Sequence, residues 1–423
     1  MTNFGHTFKK EHFPASDNAF VPVNHGSYGL PPQCVIDKYI EAFYGDIASP
    51  DKFIRDTQPK QYLEGLKLVA GVLNCSYKDL ALVANATLGV NTVLRSFPFK
   101  KGDKIAYPST TYGLCANTVK FLAKQLGIVP VVVPLDYPML DEAVVAQFAA
   151  VFRENDIKLA LFDTVVSMPG VKMPFKEISQ LCKENGVLSL VDGAHLIGLI
   201  PIDLGTPEFQ PDFYVSNLHK WLSLPRGCAV LYVAKQHHRQ VQTMPISHSY
   251  IDSDADISEK ELEDLLVLKF TFIGSETFAA LACIPTALEF RAEKCGGEAK
   301  IREYCEKLAR KAGDLAVRSW PGAKVMENDE GTLVTAMVTV QVPISHYSQT
   351  FDATSKEDMK RLLDFVLAHM LDVYKTFVPF AAHNEKLVVR FSAQVYNEIS
   401  DYEYAIDAVQ KTLRTFFARE SSL

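Results

Sequence analysis

What the chain has little of narrows its function first. No apolar run approaches the ~20 residues that a membrane-spanning helix needs, and "IVPVVVPL" is only strand-sized, so no membrane partner is expected. Lys and Arg nowhere cluster densely enough to grip a phosphate backbone, and the formal net charge is -7, so nucleic acid is not an expected partner either. The 8 cysteines are scattered, with no C-x-x-C pair and no His beside them, which argues against a metal site. Unclustered cysteines in a long chain fit a reducing, cytoplasmic setting. There is no internal repeat and no low-complexity linker. The opening "MTNFGHTFKKEHFPASDNAF" lacks the apolar core of a secretory signal. The closing "SSL" loosely resembles a peroxisomal tripeptide without its basic middle residue.

What is present is an ordinary globular balance, 48% hydrophobic and 22% charged over 423 residues, enough for a large α/β domain and a smaller one. From about residue 57 to 235, helical and strand-like segments alternate. "TQPKQYLEGLKLVAGVLN", "TLGVNTVLRSF", "NTVKFLAKQL" and "PFKEISQLCKEN" carry helical periodicity. "LALVAN", "DKIAYP", "VPVVVPL", "KLALFDTVV" and "GVLSLVDGA" are short apolar runs of strand length. Continuous apolar strands alternating with helices predict a mostly parallel sheet covered on both faces, with ligands gathering at its carboxyl ends. Beyond residue 290 the pattern changes to a long polar helix (297–318), a strand "TLVTAMVTV", a helix near 355–374, a strand "KLVVRFS" and a closing helix. The expected organisation is an N-terminal segment (1–30) packing on the small domain and cleft, a large domain (31–290) and a small α+β C-terminal domain (291–423).

Unusual polar residues fall at the predicted strand ends. Asp192 follows the apolar run "LSLV", where a buried carboxylate needs a cationic partner. Taken alone, Asp after a strand reads first as a helix N-cap; the functional alternative pairs it with a cationic ring nitrogen. Ala86 and Thr87 open a helix after a strand, where free N–H groups and a hydroxyl suit a phosphate. Lys220, in "SNLHKW", stands where a buried strand gives way to a turn, flanked by Asn217 and His219. A desolvated lysine sheds its proton readily and can act as an amine nucleophile. Each piece is weak alone. A phosphate cradle, an acid and a lysine in this order at strand ends is much less expected by chance.

The ordered stretches "VNHGSYGLPP", "NATLGVNTVLRS", "VDGAH", "SNLHKW" and "VVRFSAQVYNEISD" resemble fold-type I pyridoxal phosphate enzymes of the class V aminotransferase family over nearly the whole chain. The resemblance implies a seven-stranded, mostly parallel sheet flanked by helices, pyridoxal 5'-phosphate as cofactor, and a homodimer acting on a small amino acid. It implies that Lys220 holds the cofactor covalently and moves the substrate's α-proton. Asp192 would pair with the pyridine nitrogen and His195 would lie near the ring hydroxyl. Ala86, Thr87, Asn217 and His219 would bind phosphate, and Ser275 would reach the phosphate of the neighbouring subunit. Tyr112 would stack on the ring, and Arg390 would clamp the substrate's α-carboxylate, with His25 and Ser27 beside it. Thr164 stands where the family often has His after "FD".

Among the family's reactions, "SMPGVKMPF" and "PRGCAVLYV" are most similar to fungal sulfoxide lyases of ergothioneine biosynthesis. That likeness implies C–S β-elimination on a cysteine-derived sulfoxide such as hercynylcysteine sulfoxide. Aminotransferase, epimerase and C–C bond-forming chemistry are the alternatives, and a non-catalytic cofactor-binding protein is a further one. A desulfurase would need a mobile cysteine, and the cysteines here lie in apolar or helical stretches. Tyr28, Tyr44 and Phe53 are aromatic candidates for a trimethylammonium group, although each also reads as core.

Overall fold

A computed structural model describes residues 4–16 and 19–420; the terminal "SSL" lies outside them. The alternating region folds into seven strands: β1 (Leu80–Val83), β2 (Lys104–Pro108), β3 (Val129–Val133), β4 (Ile157–Asp163), β5 (Leu188–Asp192), β6 (Phe213–Asn217) and β7 (Ala229–Val233). Their order is β1-β7-β6-β5-β4-β2-β3. Only β7 runs against its neighbours, pairing antiparallel with β1 and β6. Strands β4 to β6 are apolar almost throughout because both faces are covered, which leaves their polar last residues at one edge.

The helices of this layer are α1 (Gln33–Ala48), α2 (Gln58–Leu73), α3 (Ala86–Ser96), α4 (Gly113–Leu126), α5 (Asp141–Glu154), α6 (Phe175–Glu184) and α7 (Glu259–Thr271). Asn85 caps α3, its side chain accepting the Leu88 N–H at 2.8 Å, so the helix starts where β1 stops.

Beyond residue 290 come α8 (Glu298–Ser319), α9 (Lys356–Asp372) and α10 (Ile399–Glu420). They accompany a four-stranded antiparallel sheet of β8 (Lys324–Val325), β9 (Met337–Gln341), β10 (Phe380–His383) and β11 (Lys386–Ser392). The expected strand "TLVTAMVTV" is a correction: it begins only at Met337. Residues 332–334 give their N–H groups to the side chains of Asn328 and Glu327 instead of to a ladder.

Two apolar cores follow from this division. One fills the space around the large sheet, and the other gathers Phe290, Leu308, Val338, Phe391 and Phe416 around the small one. The early segment joins the second core through Phe8, Phe13 and Val23, and the Ser392 N–H donates to the Val23 carbonyl at 2.8 Å. From there it crosses to the large sheet's edge at Gly29. That residue has φ +69, and any Cβ would meet the His219 carbonyl oxygen at 1.8 Å, so only glycine lets the chain pass this close to the Lys220 turn.

Candidate active site

The carboxyl ends of the parallel strands open into one cavity of about 270 Å³. Ser27, Tyr28, Ala86, Thr87, Tyr112, Asp163, Ser167, Asp192, His195, Asn217, His219 and Lys220 are among its walls. Each arrives for a topological reason. Asp163 and Asp192 end β4 and β5, Asn217 ends β6, Ala86 and Thr87 open α3, and Tyr112 caps α4.

Lys220 sits in the single turn Leu218–Trp221 that follows β6. Its Nζ is 3.1 Å from His195 Nε2, while the indole Nε1 of Trp221 donates to His195 Nδ1 at 3.3 Å. An imidazole that accepts at Nδ1 carries its proton on Nε2, which can donate to the lysine in its free-amine form. Burial and the Arg390 charge lower the lysine to about 8, in keeping with an amine that is easily freed. Burial also keeps His195 neutral, well below the usual range. The turn's backbone is fixed from outside, because His25 Nε2 donates to the Lys220 carbonyl at 2.7 Å and Arg291 Nη1 to the Trp221 carbonyl at 2.6 Å.

Asp192 is buried. One oxygen accepts the Ala194 N–H at 3.0 Å and the other the Cys115 thiol at 3.4 Å. Burial still raises its carboxyl, and Lys220 acts on it only at longer range. A further cation would complete it. At the other end of the cavity the Ala86 N–H is taken by Asn217 Oδ1 at 2.8 Å. Among the described residues nothing hydrogen-bonds the Thr87 N–H or hydroxyl, which lie at the positive end of α3. His219 is held neutral, lowered to about 4 by burial. An amine, a buried acid short of a cation and an open helix start suit an aldehyde, a protonated pyridine and a phosphate respectively, the three handles of pyridoxal 5'-phosphate.

Arg390, on β11, is buried. It donates to the Ser167 carbonyl at 2.6 Å, to Asn24 Oδ1 at 2.8 Å and to Ser27 Oγ at 2.9 Å, while its Nε has no partner. Burial lowers it to about 10, so it remains a cation at neutral pH. No carboxylate among the described residues pairs with it, and two of its partners, Ser27 and Ser167, line the cavity. Gly170 makes room for its stem, since a Cβ there would meet Arg390 Cδ at 2.6 Å.

Of the residues expected at this chain's own site, Arg390 and His25 are not among the cavity's walls; Arg390 stands behind Ser27 and Ser167. His25 is buried against Trp221 and is spent on the Tyr396 hydroxyl and the Lys220 carbonyl. Ser275, expected to reach the neighbouring subunit's phosphate and not this chain's own, is exposed in the segment after α7. Of the aromatic candidates Tyr28 lines the cavity, Tyr44 is exposed on α1 and Phe53 is core. Sequence reasoning missed Asp163 and Cys115. Asp163 ends the apolar run "KLALF" just as Asp192 ends "LSLV", so the same signal was available. Cys115 looks like any small core residue of α4.

The class V aminotransferase model matches residues 29–403, and the chain belongs to that family. It is a pyridoxal 5'-phosphate-dependent enzyme. It is 30% identical to the L-cysteine desulfhydrase-like protein lolT1 of Epichloe uncinata, over 96% of this chain and 95% of that protein. It is 28% identical to the hercynylcysteine sulfoxide lyase of Schizosaccharomyces pombe, over 96% and 97%. Among solved structures, the cystine C–S lyase C-DES in complex with cysteine persulfide superposes with a TM-score of 0.73 at 15% identity, covering 95% of this chain and 99% of that one.

Proposed function

We propose that the chain is a β-eliminating carbon–sulfur lyase acting on a cysteine-derived amino acid, with a sulfoxide such as hercynylcysteine sulfoxide as substrate. The observation that carries this reading is a cavity that combines a buried lysine base and a phenol with no thiol among its walls. A sulfur-accepting mechanism needs a reactive cysteine. The nearest, Cys115, is buried behind Asp192, and burial and that carboxylate push its thiol far up. The names of the two relatives support the same direction.

The bound cofactor would supply an electron sink for the α-carbon. In that frame Asp192 would keep the ring nitrogen protonated, and Thr87 with the α3 start would hold the phosphate. Lys220 takes the α-proton, and Arg390 holds the α-carboxylate. The Cβ–S bond breaks with its electron pair on sulfur, and Tyr112 protonates the departing sulfenate to a sulfenic acid. Water then converts the released enamine to pyruvate and ammonia. The test is mass-spectrometric identification of products from hercynylcysteine sulfoxide, L-cysteine and S-substituted cysteines. Pyruvate and ammonia in equal amounts support the reading. Epimerised or transaminated substrate alone overturns it in favour of those activities.

Arg390→Lys tests the carboxylate clamp. The ammonium keeps the charge but not the planar fork, so KM should rise about 10- to 100-fold while the cofactor remains covalently held. Unchanged substrate binding would remove this role.

The same proposal includes a homodimer in a reducing compartment. Ile40, Phe43, Tyr44 and Ile47 form an exposed apolar stripe at helical spacing on α1, and all 8 cysteines are unpaired. Ser275→Ala should loosen cofactor retention severalfold at unchanged melting temperature. A fully active monomer in sedimentation at assay concentration would count against the dimer.

A further inference from the structure

Strands β4 and β5 pair in register so that Asp163 and Asp192 are Cα partners, a strand spacing of about 4.8 Å apart. Both carboxyls are buried and both line the cavity. Two like charges this close in a dry site cannot both persist cheaply. Hydrogen bonding decides which one yields. Asp192 accepts from a backbone N–H and from a thiol, which favour its ionised form. Asp163 Oδ2 is buried with no partner among the described residues.

We propose that Asp163 is protonated at neutral pH and donates a hydrogen bond to the bound cofactor, while Asp192 stays ionised. Asp163 faces Asp192 from β5, Lys220 from the turn after β6, Cys115 from α4 and Tyr137 from the loop after β3. Burial and Asp192 raise its carboxyl well above the usual range, against the opposing effects of Lys220 and of a hydrogen bond from its own backbone N–H. Cys115 and Tyr137 are themselves held neutral by burial. The arrangement places one ionised acceptor and one neutral donor side by side, an assignment that environment alone can make for two identical side chains. It would also leave the Asp163 Oδ2 partnered on cofactor binding, where an orphaned buried carboxyl is costly.

The proposal rests on the cofactor and not on the lyase reading, and its test uses no substrate. Asp163→Asn keeps a donor of the same size that cannot titrate. Asp163→Leu removes the donor. Equilibrium dialysis at neutral pH should find the Asn variant holding cofactor as tightly as wild type and the Leu variant about tenfold more loosely, the worth of one hydrogen bond. Infrared difference spectra of the cofactor-free protein, wild type minus Asp163→Asn, should show a protonated-carboxyl stretch at neutral pH. An Asn variant as loose as the Leu variant would mean that an ionised Asp163 is required, and would overturn the proposal. Absence of the protonated band would do the same. Should the Leu variant fail to fold by circular dichroism, the Asn variant and the infrared band decide alone.

Discussion

Lys220→Ala should abolish turnover, by more than the ~10²–10⁴-fold typical of losing a general acid or base alone. On the reading proposed above, one amine serves two purposes, the covalent hold on the cofactor and movement of the α-proton. Cofactor should still bind non-covalently, because Thr87, Asn217, Asp192 and the start of α3 are untouched by the change. Borohydride should fix cofactor on the wild-type peptide containing Lys220 and on no peptide of the variant; fixation on another lysine would refute the assignment. A pH dependence accompanies this. With the lysine lowered to about 8 by burial, its free-base form grows as pH rises through that value. Capture of cofactor by the cofactor-free protein should therefore quicken with rising pH and level off above about 8. A rate still climbing steeply near 10 would mean that the amine is not desolvated as the structure has it.

Tyr112→Phe should lower elimination by ~10²–10⁴-fold while sparing α-proton exchange. Tyr112 is half-exposed on the cavity wall, and burial together with the charges of neighbouring groups raises its phenol, so it keeps its proton at neutral pH and can give it away. Exchange of the α-hydrogen with deuterated solvent, followed by mass spectrometry, separates the steps. Loss of product release with exchange retained places the phenol at the leaving sulfur. Elimination at the wild-type rate would show that another group, or water, supplies the proton.

Much of this was legible in the residues because strand ends punctuate the sequence. An apolar run that stops at Asp, Asn or Lys marks the edge of a covered parallel sheet, and Asp192, Asn217 and Lys220 were found that way. Arg390 stood out because a guanidinium inside "LVVRFS" has no surface to reach. What stayed hidden depends on contacts that no local pattern encodes. His25 was assigned to the substrate because it is a polar residue in a family motif, yet its partners are Lys220 and Tyr396, 195 and 371 residues away. Cys115 touches Asp192 across 77 residues. The strand at 332–336 was over-read because its alternation suits a ladder, whereas Glu327 and Asn328 claim its N–H groups.

The clamp on the Lys220 turn bears on how the protein is made. His25 leaves the ribosome early and Lys220 near the middle. The Tyr396 hydroxyl that bonds His25 Nδ1 at 2.8 Å emerges later still, soon after Arg390. During synthesis the large sheet can form around its own core, and His25 and Arg291 can already reach the Lys220 turn, but His25 is itself held only when Tyr396, 371 residues on, meets it. The hydrogen bonds around the Lys220 turn are thus complete only once residue 396 has been made, and a nascent chain stopped before residue 390 lacks both Arg390 and the Tyr396 hydroxyl.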